Sequence, residues 1–291
     1  MASTTMQTLQ GLFTNYRWSI LRTYGLTLLE NLFELLYPWA IGVAIDGLLQ
    51  KDYASLLPLA IAWIIHTFIG VSRQIYDTSI FTRIYGNLAT SVVLEQARRG
   101  VSTSQIVARS ALSREFVDFF EQDIPQIITT LFSFIGALAM LYLYDSQIGS
   151  YCLILLLPLL VINHIYARRS RRLNRRLNDQ LESEVEVLSK PAPAAIDRHY
   201  RLLAKWRIRL SNAEAANWGV MELFVIALSV VVLIRTVTLP HTQPGEIYAV
   251  IAYFWNYVSS LDDVPRLVQQ FSRLQDIGER MQVSELELSE C

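Results

Sequence analysis

Six apolar runs dominate this chain. Each is roughly 17–25 residues long, the length a helix needs to cross about 30 Å of hydrocarbon at 1.5 Å per residue. They fall at about 20–45, 56–75, 124–144, 148–166, 220–239 and 246–264. Lipid gives a peptide group no hydrogen-bond partner, so such runs must pair their own backbone as helices. The fold expected is therefore all-α, with six transmembrane helices. Of the 291 residues 52% are hydrophobic, with a mean hydropathy of +0.30. That is too apolar for a soluble domain of this size and too polar for membrane spans alone. It points to spans joined by long polar helical segments.

Charge placement sets the orientation expected. Twelve Lys or Arg residues lie between Ala167 and Gly219, and five arginines lie between the second and third runs. The alternate loops hold only Lys51. By the positive-inside rule both termini and the two long loops are cytosolic, in a bacterial-type inner membrane. The long loops carry a helical pattern. Ile84, Leu88 and Val92 recur at four-residue steps, as do Leu173, Leu177, Leu181 and Val185, so each set shares one helix face. Spans two to five are expected to continue into the cytosol as helices, with breakers near Gly100 and at Pro191 and Pro193. Spans three and four are joined by the turn Asp145-Ser146-Gln147.

Several function classes are excluded. The formal net charge is −1, so the whole chain has no field for nucleic acid. The arginine run 168–176 is better explained by topology and anionic lipid. The two cysteines, Cys152 and Cys291, and the scattered His66, His164, His199 and His241 give no metal spacing. No nucleophile–base arrangement emerges, so neither an enzyme nor a cofactor is expected.

The segment Tyr37-Pro38-Trp39-Ala40-Ile41-Gly42-Val43-Ala44-Ile45-Asp46-Gly47-Leu48 resembles the end of span one in ABC exporters. Gly245 to Tyr253 is similar to that family's entry to span six, and Val268 to Arg280 to its lead into the ATPase. The resemblance covers about residues 15–282. It implies an ABC-exporter transmembrane domain over 1–282, with 283–291 a short cytosolic tail. It also implies a domain-swapped dimer, formed by two copies or with a similar half, in which each half lends helices to the other. A phosphate loop needs Gly-x-x-x-x-Gly-Lys-Ser/Thr. The only lysines, Lys51, Lys190 and Lys205, lie outside any such context, and there is no Leu-Ser-Gly-Gly-Gln. A chain of this make-up is expected to have no nucleotide-binding domain of its own.

Ionisable groups inside spans are costly and face a cavity or a partner, about 2.5–3.5 kcal/mol for a central carboxylate. Glu34 lies near the middle of span one, Glu30 one turn nearer the cytosol, and His66 near the middle of span two. These three with Asn256 are candidates for a cavity that binds cationic cargo or carries protons. The alternative is a protonated or hydrogen-bonded Glu34 at a helix contact, with His66 packed. Tyr253, Trp255 and Tyr257 on span six are candidate cavity aromatics for a peptide-like or amphipathic solute, against ordinary packing. Arg73 and Asp77 read as an intrahelical pair. Arg235 reads as a residue that snorkels to the outer interface.

Three functions compete: a proton-coupled transporter, the membrane subunit of a split exporter, and a non-transporting scaffold or immunity protein. A separate ATPase would dock at the tips near Arg98, Arg99 and Gly100, and near Pro191 and Pro193. The intramembrane carboxylates tip the reading to the first.

Overall fold

The structure is a computed structural model, and it describes residues 4–98, 100, 102–189, 192–240 and 242–263. The expected segment from 264 to 282, the tail 283–291, and the tip residues Arg99 and Pro191 lie outside the described residues. Eight α-helices account for most of the rest: α1 Thr4–Leu49, α2 Leu57–Arg98, α3 Thr103–Asp118, α4 Ile124–Tyr144, α5 Ser146–Glu182, α6 Glu184–Ser189, α7 Pro193–Thr238 and α8 Pro244–Asp262. The long polar segments are helical; α2 and α5 each run unbroken from an apolar stretch into a polar one, and α7 from a polar stretch into an apolar one.

Among the described residues five helical segments are long and apolar enough to cross a membrane. The 19-residue α8 covers the sixth apolar run, and its tyrosines, Asn256 and serines keep it out of that set. The apolar side chains turned outward include Phe68, 73% exposed, and Leu143, 78% exposed. Such exposure suits lipid and not water.

One local expectation is corrected. The turn between α4 and α5 is a single residue. Asp145 is extended, and its Oδ1 accepts from the backbone N–H groups of Gln147 and Ile148 at 2.9 and 3.0 Å. That N-cap satisfies the first orphan donors of α5, so the helix starts at Ser146. The helix break expected near Pro193 is present: α6 ends at Ser189, and Pro193 occupies the first turn of α7 after Ala192, where a missing N–H costs nothing. Pro38 and Pro158 lie inside α1 and α5 without ending them. At the other tip α2 ends at Arg98, and Gly100 sits at φ +70°, a backbone that glycine adopts freely.

The described chain divides into two compact units, one of residues 141–240 and one of the remainder. In the larger unit α1 packs on both α2 and α8. A cluster of Ile20, Phe81, Ile84, Leu88 and Val117 buries the junction of α1, α2 and α3. Between α3 and α4 the helix widens to a π-helical turn at Phe119–Asp123. The Tyr24 hydroxyl donates to the Phe120 carbonyl there at 3.1 Å, as the loosened ladder of a π-turn allows. In the smaller unit α5 pairs with α7, and α6 packs on α7 at the tip.

Candidate functional site

One face of α1 carries a polar ladder. Thr23, Thr27 and Asn31 are all buried and stand at four-residue steps. Each side chain of the ladder donates to the carbonyl one turn back: Thr23 to Ser19, Thr27 to Thr23 and Asn31 to Thr27. Asn31 also donates to the Thr129 hydroxyl of α4 at 3.1 Å. These bonds satisfy polar groups within a span, where an unpartnered one is expensive.

The ladder leads to a cavity of about 370 Å³ within the larger unit, lined by α1, α4 and α8. Its walls include Asn31, Glu34, Tyr37 and Pro38 of α1, Phe132 and Ser133 of α4, and Tyr248, Ala252 and Asn256 of α8. Among the described residues of that lining Glu34 is the sole carboxylate, and no Lys, Arg or His joins it. Pro38, also on the lining, has no N–H to give the carbonyl four residues back, which is that of Glu34.

Two other candidates sit behind the cavity wall. The Tyr37 hydroxyl, on the lining, lies 2.5 Å from His66 Nδ1. His66 Nε2 lies 3.9 Å from Glu30 Oε1. The Arg73 guanidinium donates through Nε to Glu30 and through Nη1 to Asp77 Oδ2 at 3.0 Å. A continuous polar chain thus runs Tyr37–His66–Glu30–Arg73–Asp77 between α1 and α2. The expected Arg73–Asp77 pair is present, and Arg73 also holds Glu30, a contact across 43 residues that helical spacing could not reveal. Gly70 makes room for it: a Cβ there would stand 3.0 Å from Glu30 Oε1.

The span-six candidates are placed apart. Asn256 lines the cavity. Tyr253 is fully buried, its hydroxyl donating to the Leu35 carbonyl at 2.8 Å. Tyr257 is fully buried and stacked on Phe134 at 5.4 Å. Trp255 is 52% exposed. Within this chain none of the three lines the cavity, and the α8 ring that does is Tyr248. The period of α8 decides this: Tyr253 and Tyr257 share the face turned to α1 and α4, while Tyr248 and Asn256 share its edge. Arg98 ends α2 in exposed surroundings, and Gly100 and Pro193 stand at the two tips described above. Arg235 does not snorkel freely; its Nη2 donates to Asp145 Oδ2 at 2.9 Å. Among the described residues no group of three potential ligands could hold a metal ion.

The family model for the ABC transporter transmembrane region matches residues 9–243. The chain belongs to that family. It is a multi-pass membrane protein of a transporter class. A bacterial Atm1-family ABC exporter solved with ATP bound shares the fold with a TM-score of 0.60 at 13% identity. The match covers 91% of this chain and 53% of that one, so the chain spans about half the exporter's length. Among curated proteins there is no match.

Proposed function

We propose that this chain is the membrane domain of a proton-coupled transporter for a peptide-like or amphipathic solute, working as a homodimer with both termini in the cytosol of a bacterial-type inner membrane. One observation carries the reading: among the described residues of the cavity lining Glu34 is the sole carboxylate, and the lining holds no basic residue beside it. A carboxylate placed so in a span is suited to bind a proton or a cationic group and to release it on the other side. Behind it the chain Tyr37–His66–Glu30 supplies groups that accept and donate protons at hydrogen-bonding or near-contact distances. The aromatic and apolar part of the wall suits an amphipathic solute.

The dimer follows from the family, whose members build a pathway from two six-helix halves. Membrane lipid is the other partner expected.

The test is proton flux in proteoliposomes holding the purified protein alone, under an imposed pH gradient, with an internal pH reporter. Flux by the wild type that is lost in Glu34→Gln is the expected outcome. Undiminished flux in that variant removes Glu34 from coupling. No flux by either protein favours the second reading, a membrane subunit driven by a separate ATPase. Arg98 and Gly100 with α3, and α6 with the start of α7, would serve as its docking points. Co-purification of an ATPase that depends on Arg98 would support that reading.

A further inference from the structure

We propose that Arg176, Lys205 and Arg209, gathered around Trp206, form a binding site for a phosphate-bearing anion on the polar ends of α5 and α7. The Arg176 guanidinium lies 4.9 Å from the Trp206 ring centre, that of Arg209 5.1 Å, and the Lys205 ammonium 5.7 Å. Three cations around one indole lie within about 10 Å of one another, inside a Debye length at ordinary ionic strength. The ring's quadrupole attracts each of them, but it brings no net negative charge.

No carboxylate among the described residues stands within ion-pair distance of any of the three. Two cations of the same unit do have acid partners: Arg201 is held by Asp197, and Arg235 by Asp145. Acids are present on the same helices, Asp179 one turn from Arg176 and Glu214 five residues from Arg209, and neither forms an ion pair with the cluster. All three cations are exposed around the half-buried ring. Two planar guanidinium forks and one ammonium, held without a counter-charge, match the geometry of phosphate oxygens.

Depth bears on the source. Arg176 stands ten residues past Tyr166, the end of the apolar run of α5, or about 15 Å at helical rise. The headgroup layer is only about 5–7 Å deep. A soluble phosphate compound reaches the cluster directly, whereas a lipid phosphate meets it only through a stretched arginine.

Trp206 reports on its own site. The full chain in nanodiscs of zwitterionic lipid is titrated with pyrophosphate at constant ionic strength. The signal is the tryptophan fluorescence of the wild type minus that of Trp206→Phe. A saturable change is expected, about tenfold weaker in binding for Arg176→Gln or Arg209→Gln. Arg176→Lys, which keeps the charge, should retain most of it, and this separates charge from misfolding. In nanodiscs containing phosphatidylglycerol, a signal already saturated before pyrophosphate is added identifies a lipid phosphate as the occupant; an unchanged titration identifies a soluble one. A response reproduced by chloride, or undiminished in both Gln variants, or absent in both lipids, overturns the proposal.

Discussion

Asp145 does two jobs with one carboxylate. Its Oδ1 caps α5, and Oδ2 accepts from Arg235 of α7. Partial burial alone would raise its pKa; the Arg235 guanidinium and the Ile148 and Gln147 N–H groups outweigh burial and hold it below the usual carboxylate value. A depressed folded pKa gives stability that is full above the unfolded value of about 3.9 and is lost as pH falls through the folded value. Thermal unfolding in detergent should therefore show the wild type losing stability below about pH 4. Asp145→Asn should start lower at neutral pH and lose less on acidification. Equal acid sensitivity of the two proteins would place the titrating group elsewhere. At this same scale Glu30 and Glu34 were legible in the sequence, because a carboxylate in an apolar run is conspicuous. The partner of Glu30 was not. Arg73 had an apparent partner four residues on, and nothing in one helix's periodicity says that its Nε points to another helix.

Helix contacts follow from small residues at close approach. Gly42 of α1 and Gly245 of α8 touch backbone to backbone: a Cβ on Gly42 would stand 2.6 Å from the Gly245 carbonyl oxygen, and one on Gly245 would overlap the Gly42 carbonyl and the Asp46 carboxylate. Asp46 Oδ1 accepts the Gly245 N–H at 2.7 Å, a favourable place for an anion at the start of α8. Gly245→Ala should force α8 away from α1 and destabilise the protein by roughly 1–3 kcal/mol, read as an earlier unfolding transition in detergent. Gly86→Ala, where a Cβ meets nothing within 4 Å, is the matched control and should be neutral or slightly stabilising. Wild-type stability in Gly245→Ala would show that α8 is not held at this contact. The motif around Gly42 and Asp46 stands out in the sequence; that it meets Gly245 rather than a lipid is a tertiary fact.

Across the whole molecule, the asymmetry of Lys and Arg makes the topology testable. A cysteine replacing Lys51, in the turn between α1 and α2, should react with a membrane-impermeant maleimide on intact cells. A cysteine replacing Arg98 should react only after permeabilisation. The reverse pattern would invert the orientation and put both tips outside. The six apolar runs, the helical reading of the polar segments and the family were all determined by the sequence, since hydrophobic length and four-residue periodicity are properties of a single helix. Tertiary structure alone decided which side chains meet. It put Glu34, Asn256 and Tyr248 on one cavity, turned Tyr253 and Tyr257 into packing, and drew Arg176 to Trp206. Those pairings depend on the rotation of one helix against another, and a few tens of degrees there move a residue from cavity to core with no change in its own helix's pattern.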